Sequence, residues 1–318
     1  MVGNYASEFF RNTIRRSAEN ASDCWRFARA ASVLGLGVAG IGALASLKTA
    51  TGDPVGSAGD GVAPSDSAIL NFALTLEYLE AEFYLRAVTG EGLDDSQVDG
   101  RGVLGPVSGG HKVDFESKLL GQFAAEIAAD ERAHVAFFRE ALGSARVARP
   151  AIDLDQAFSA AATAAGLIAQ GQTFDPFADE DSFLLGAFLF EDVGVTAFKG
   201  AAPLITNKTY LEAAAGILAV EAYHAGLVRS VLLSKGLADQ ANRISQARDS
   251  LGPGGIDQGI VDASGNANVV PADSHGVAFS RSPGQVLNVV YLNPTSVDRG
   301  GFYPAGVNGE LNMSAQSS

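Results

Sequence analysis

Glu131-Arg132-Ala133-His134 and Glu221-Ala222-Tyr223-His224 repeat one frame on two strongly helical stretches, and they engage two of the chain's four histidines. On an α-helix, positions i and i+3 share a face roughly one turn apart, so a carboxylate and an imidazole so spaced can point at one ion. A single copy would be an ordinary solvated surface pair. Two copies, accompanied by Glu77 and Glu191 on two further apolar helices, match the ligand set of a carboxylate-bridged two-metal centre inside a four-helix bundle. The chain is therefore expected to be all-α, with its chemistry in the middle of the bundle.

Composition limits what holds such an ion. Cys24 is the one cysteine, so neither an intrachain disulfide nor a thiolate cluster can form, and any metal must be bound by oxygen and nitrogen. A net charge of −14 argues against nucleic acid as a partner, because phosphate neutralisation needs a basic face, and it is compatible with cation binding. With 318 residues, 47% of them apolar, the chain can bury a full core.

Residues 1–48 differ from the rest. Arg11, Arg15, Arg16, Arg26 and Arg29 form a basic segment, Ala31–Leu47 adds 17 residues without a charge, and Ala43-Leu44-Ala45 offers a small-x-small cleavage site. That order predicts an export signal, with mature protein beginning near Ser46 in the periplasm or secreted. Arg15-Arg16 hints at twin-arginine export, although Ser17-Ala18-Glu19 continues that motif poorly. The alternative is a membrane anchor through residues 31–47, at the short end for a full span. Gly35-x-Gly37-x-x-Gly40 also fits a dinucleotide fingerprint, but an apolar leader stands where a βαβ unit would be needed. Residues 49–64, rich in Gly, Ser, Ala and Asp, read as a linker.

Residues 65–251 carry the bundle pattern. A first helix is capped around Ser65 and runs to about Val88, with Ile69, Leu70, Ala73, Leu76 and Tyr84 at helical spacing. After a Gly-rich excursion over residues 90–110, a second is predicted from about Asp114 to Leu142, keeping Leu119, Phe123, Ile127, Ala128, Val135 and Phe138 on one side. The next 38 residues are too many for a hairpin; they hold a short helix over Leu154–Ala169 and form a long crossover. Two more bundle helices follow, from about Asp181 to Lys199, where Pro203 blocks extension, and from about Lys208 to Ser234. A polar fifth helix fits Ala238–Ser250. Residues 252–318 are mostly Gly, Asn, Asp and Ser, except that Ser282-Pro283-Gly284-Gln285 has the signature of a helix start, opening a helix to about Leu292. This C-terminal extension is expected to wrap the bundle, because Val286, Leu287, Val289, Val290 and Tyr291 need covering.

Writing the first helix over the third aligns Glu77 with Glu191 and Tyr84 with Phe198, and writing the second over the fourth aligns the two Glu-x-x-His motifs. The helices thus read as two halves related by a pseudo-twofold axis. Together they offer Glu77, Glu131, His134, Glu191, Glu221 and His224 as metal ligands, enough for two ions if Glu131 and Glu221 bridge and each ion takes one further carboxylate and one histidine. Glu77 and Glu191 lie among apolar neighbours, where an unpaired carboxylate is costly, so something must compensate them. Two iron or manganese ions are the simplest compensation; a metal-free layer of protonated carboxyls, Glu–His pairs and water is the alternative.

Neighbouring groups receive less central places. Glu80, one turn from Glu77, can replace it as ligand or support it from behind. Glu82 is expected to point into solvent, and Glu126 and Asp130 to form an outer acidic stripe leading to His134. Tyr84 and Tyr223 are expected to pack beside the site as core residues, and His111 and His275 to be exposed. Neither a Gly-x-Ser-x-Gly elbow nor a P-loop occurs.

The run Leu74-Thr75-Leu76-Glu77-Tyr78-Leu79-Glu80-Ala81-Glu82-Phe83-Tyr84, the segment from Ala125 to His134, and the tail segments Ala278–Asn288 and Gly301–Gly306 resemble the ferritin-like domain family, and more narrowly its desiccation-related, exported members. The resemblance covers about Ser65 to Gly309. It implies a ferritin-like four-helix bundle, an extracytoplasmic address, and the same six ligands by motif match. The symmetric motif pair stands nearer to ferritin and rubrerythrin sites than to manganese catalases, while the crossover, tail and leader argue against the mineral storage of cage-forming ferritins. The expected function is a stress-related, di-iron or di-manganese protein that acts as an oxidase on metal, O₂ or peroxide, with homo-oligomer formation open. The competing expectation is a metal-free structural or desiccation-protective protein on the same bundle.

Overall fold

The computed structural model describes residues 63–317. The predicted leader, its possible membrane association through residues 31–47 and nearly all of the linker lie outside the described residues. Within them, and apart from short 3-10 turns, the order is α1 Asp66–Thr89, β1 Val107–Ser108, α2 Lys118–Leu142, β2 Ile152–Asp153, α3 Gln156–Ala164, α4 Glu180–Ala201, α5 Lys208–Ser234, α6 Ala238–Asp249 and α7 Pro283–Val290. β1 and β2 pair in parallel and tie the loop before α2 to the crossover after it.

Local chemistry sets the helix ends. Ser65 Oγ accepts the Ala68 N–H at 3.1 Å, Ser117 Oγ that of Leu120 at 3.2 Å, and Asp179 Oδ1 that of Ser182 at 2.7 Å. Each satisfies a donor that has no acceptor inside its own helix. Because Ser117 supplies the cap, α2 starts four residues after the expected Asp114. The crossover helix α3 is shorter than predicted and is followed by Gly166 at φ 67°. At Ser282 both halves of a capping box form, as the tail sequence implied.

α1 packs along α2 and α4 along α5, and α1 meets α4 between the pairs. Burial divides the four sharply: 19 of 24 residues are buried in α1 and 17 of 22 in α4, against 10 of 25 in α2 and 8 of 27 in α5. The apolar residues of α1 and α4 run all the way round, so two faces are not enough to bury them. The crossover and the C-terminal extension supply the missing cover. Phe83 of α1 stacks among Phe158, Phe177, Phe183 and Phe190, and Phe302 of the extension closes on Phe158 and Phe190 at 5.0 and 4.9 Å between ring centres. Tyr303 donates to the Thr75 carbonyl at 2.8 Å.

An internal ion network fastens the extension. Asp192 of α4 accepts from Arg229 of α5 and Arg248 of α6, both at 2.7 Å; Asp257 accepts from Arg248 at 2.7 Å and from Arg281 at 2.5 Å. The three guanidinium groups are buried, and those of Arg229 and Arg248 lie over the Phe188 ring. This explains why α6 is polar: Ser245 and Arg248 turn inward toward Asp257. Where the chain recrosses α4, a side chain at Gly200 would begin 1.9 Å from the Arg281 carbonyl oxygen, so that approach requires glycine. Among the described residues α5 is long and apolar enough to cross a membrane, yet it lies along α4 with Glu221, His224 and Arg229 on its buried stripe.

Three expectations are corrected by this packing. Glu82 is fully buried, not solvated: it pairs with Arg86 at 3.0 Å and with Arg149, which the chain after α2 carries against α1. Tyr223 is 78% exposed, because none of the described residues covers it on the outer face of α5. Leu119, in the first turn of the late-starting α2, is exposed as well.

Candidate metal centre

Glu77 comes from the middle of α1, Glu131 and His134 from α2, Glu191 from α4, and Glu221 and His224 from α5. All six are buried. They converge into two groups, each with one oxygen or nitrogen per residue within 4.8 Å of the others: Glu77, Glu131, His134 and Glu221 in one, Glu131, Glu191 and His224 in the other. His134 Nδ1 is 3.2 Å from Glu77 Oε2, 3.3 Å from Glu131 Oε2 and 3.8 Å from Glu221 Oε1. His224 Nδ1 is 3.0 Å from Glu131 Oε1 and 3.7 Å from Glu191 Oε2. Glu131 therefore belongs to both groups. Glu221 belongs to the first alone, a departure from the twofold equivalence of the two motifs.

The surroundings orient these donors. Asp130 Oδ2 lies 3.2 Å from His224 Nε2, leaving Nδ1 to face the cluster. Asp130 thus supports His224, rather than His134 as the stripe implied, while Glu126 is exposed. Tyr84 is buried as predicted but also donates its hydroxyl to Glu191 Oε1. His111 and His275 are exposed and remote in sequence from these groups.

Glu80 lies beside the six without joining either group, and its carboxyl is buried with Oε2 unpartnered. The counterpart of Glu80, three residues after Glu191, is Gly194. A side chain there would begin 2.1 Å from Glu221 Oε2 and 3.3 Å from Glu80 Oε1, so glycine makes room for both carboxylates.

Electrostatics expose the demand for positive charge. Burial pushes Glu77 and Glu191 up to about 8, although His134 and His224 pull them down. It drives Glu80 and Glu221 well above the usual carboxylate range, with the neighbouring carboxylates adding to the shift. Burial opposes ionisation of Glu131 too, but hydrogen bonds and charge from His134 and His224 outweigh it and hold that group at about 2. Burial disfavours both imidazolium forms; Glu77 and Glu131 nevertheless raise His134 to about 11, and Glu131 and Glu191 raise His224 to about 9. Five buried carboxylates thus face two imidazoles. Among the described residues Glu77 Oε1, Glu191 Oε2 and both oxygens of Glu221 have no hydrogen-bond partner. A site of this composition suits a hard or borderline cation with mixed oxygen and nitrogen ligands, and cation entry would expel protons from it.

The sequence did not reveal the Asp192–Arg229–Arg248–Asp257–Arg281 network, which begins one residue from Glu191. One signal was present: Arg229 falls on the α5 stripe that holds Glu221, Ala225, Val228 and Leu232.

Comparisons with known proteins follow the same outline. The family profile described as Ferritin-like domain matches residues 65–234. The desiccation-related protein PCC13-62 of Craterostigma plantagineum is 30% identical over 248 residues, covering 72% of this chain and 78% of that protein. The ferritin-like catalase Nec2 of Nesocodon mauritianus is 28% identical over 273 residues, covering 79% of this chain and 86% of that protein. No solved structure gives a significant match. On the profile match and on the extent of both alignments, the chain is a member of the ferritin-like domain family.

Proposed function

We propose that this protein is a two-metal, peroxide-handling member of its family, with Glu77, Glu131, His134, Glu191, Glu221 and His224 holding two iron or manganese ions. The observation that carries this reading is the convergence of six buried donors, three of which keep oxygens without a hydrogen-bond partner among the described residues, around the shared carboxylate of Glu131. Two redox-active ions held by these residues would together supply an electron pair, which two-electron chemistry on peroxide or O₂ requires. The name of the ferritin-like catalase supports peroxide as the substrate. Its dismutation is balanced without an outside reductant: of two peroxide molecules, one is oxidised to O₂ and the other reduced to two water molecules. Glu131 serves both metal positions, Tyr84 orients Glu191, Asp130 orients His224, and the apolar walls of α1 and α4 keep bulk water out. The basic-then-apolar order of residues 11–47 supports export or membrane tethering, which N-terminal sequencing of native protein and fractionation would test.

A second reading has its own support: His134 is within hydrogen-bonding distance of Glu77 and Glu131, so part of the layer can satisfy itself without metal. Such a protein would be protective and non-enzymatic. Elemental analysis of protein purified without chelators separates the two readings. About two Fe or Mn per chain is expected. Metal-free protein that takes up no Fe(II) under anaerobic conditions would overturn the metal reading.

A further inference from the structure

The two halves of the bundle repeat one residue beyond the six donors. Each Glu-x-x-His motif carries an arginine eight residues after its glutamate: Arg139 after Glu131, and Arg229 after Glu221. Eight residues is a little over two helical turns, and both arginines fall on the buried stripes of α2 and α5. A guanidinium so placed needs partners.

Both find them at the same place on the opposite helix of their pair. Arg139 Nη1 donates to the Tyr78 hydroxyl at 2.8 Å, and Arg229 Nη1 donates to Asp192 Oδ2 at 2.7 Å. Tyr78 directly follows Glu77, and Asp192 directly follows Glu191. In each half, then, an arginine from the motif helix grips the residue next to the single glutamate. The remaining hydrogen bonds fix the arginine itself. Arg139 donates to the carbonyl oxygens of Asp99 and Ser96 at 2.6 and 3.1 Å, and Arg229 to those of Gly259, Asn268 and Gln258 at 2.6, 2.7 and 3.1 Å. Each guanidinium is thus anchored by a segment of the cover and holds the partner helix from there.

That grip bears on the candidate centre. A slide of one residue along a helix is about 1.5 Å, enough to spoil the approach of Glu77 to His134 at 3.2 Å and of Glu191 to His224 at 3.7 Å. Apolar packing is non-directional, so it fixes this register less sharply than a forked, hydrogen-bonded guanidinium does. We propose that Arg139 and Arg229 are a matched pair of positioning residues, each setting the register at which the ligands of its own half meet: Glu77 with His134 for one ion, Glu191 with His224 for the other. The proposal rests on the two-metal reading and extends it past the six ligands. Each arginine acts through its neighbour, Tyr78 or Asp192, so its effect is confined to its own half.

The test is titration of the full protein with Mn(II), with affinity read by calorimetry and ion pairing by electron paramagnetic resonance. Wild type should bind two ions as a coupled pair. In His224→Ala, which keeps the Glu77–His134 position, Arg139→Met should weaken the remaining ion roughly tenfold or more, while Arg229→Met changes it by less than about threefold. In His134→Ala the two arginines should exchange roles. Arg229→Lys keeps an ammonium for Asp192 and should recover most of the affinity lost in Arg229→Met. Tyr78→Phe removes a single hydroxyl and serves if a buried-arginine variant fails to fold; it should weaken the Glu77–His134 ion a few-fold and leave the other unchanged. Equal losses at both positions, or lowered unfolding stability with both affinities within about threefold of the parent, would overturn the proposal and leave the arginines as ties for the cover. Failure of the two-metal reading shows separately, as wild-type protein that takes up no Mn(II).

Discussion

The four bundle helices form two unlike pairs. Among the described residues α1 and α4 are wrapped on every side, while α2 and α5 leave an outer face bare. The Glu-x-x-His motifs sit on the bare pair and the single glutamates Glu77 and Glu191 on the wrapped pair, so the candidate centre spans a wet edge and a dry one. His134 and His224 keep a little exposure, and His224 leans on Asp130, whose side chain is 44% exposed; Glu77 and Glu191 have 0% and 1%. The lesson is that a repeated motif describes which donors converge, and the cover laid over each helix decides the medium in which they act.

The largest expected effect falls on Glu131, the group common to both halves. Glu131→Ala should cost both ions, whereas Glu77→Ala and Glu191→Ala should each weaken mainly one, and Glu221→Ala mainly the one beside His134. Metal per chain by elemental analysis, together with a thermal midpoint measured with and without chelator, checks this. Binding energy stabilises only the folded state, so the loss should appear in loaded protein and vanish in metal-free protein. Full metal content in Glu131→Ala would remove the shared-carboxylate assignment.

Next in size is the clip that holds the wrapping in place. Asp257→Ala leaves Arg248 and Arg281 buried without one of their counter-charges and should cost about 3–5 kcal/mol in urea unfolding. Asp257 also gives the contrast a pH signature. Burial raises its pKa, but Arg248 and Arg281 outweigh burial and hold it below the usual carboxylate value. Its contribution is therefore complete above roughly pH 4 and lost as pH falls through the lower folded value. Wild type should lose more stability than Asp257→Ala across that acid range. An equal slope for the two proteins would show that the clip carries no net stabilisation.

Glu82 comes third. It lies on the wrapped pair, buried between Arg86 and Arg149, so Glu82→Ala should cost about 2–3 kcal/mol with metal content unchanged. Glu82→Gln should recover part of that by keeping hydrogen bonds. A neutral result would mean that the two arginines reach solvent readily and that the cover over α1 is looser than its burial implies.

Much of this molecule was legible in its sequence, and the limits have one physical origin. Helix periodicity and caps are local, so α5 lies over Lys208–Ser234 as its pattern indicated and Ser65 and Ser282 cap where expected. The convergence of Glu77, Glu131, His134, Glu191, Glu221 and His224 followed from spacing on helices whose mutual packing is restricted. Burial of a particular outward position is not local. Glu82 was read as solvated because its partner Arg149 is 67 residues away, and Tyr223 as packed because it adjoins a ligand candidate in sequence. The Asp192–Arg248–Asp257 network escaped for the same reason, since it exists only once α6 and the extension fold back onto α4. Glu82 and Tyr223, one on each pair, fell on the wrong side of the wrapped-versus-bare division.

The smallest effect sharpens that division most directly. Tyr223 lies between Glu221 and His224 in sequence, yet helical geometry turns it away from both, and no element among the described residues covers α5 at that point. Tyr223→Ala removes a large ring from solvent rather than from a core, so it should change stability by no more than about 0.5 kcal/mol and leave metal content intact. The matched substitution on the wrapped pair is Tyr84→Ala, where a buried ring and the hydroxyl held by Glu191 are lost together, at a cost of about 3–5 kcal/mol. The ratio between these two tyrosines measures the asymmetry of the bundle without touching a proposed ligand. A large loss at Tyr223 would mean that the bare face is covered in solution by another surface, such as a second copy of this chain, and dependence of that loss on protein concentration would identify it.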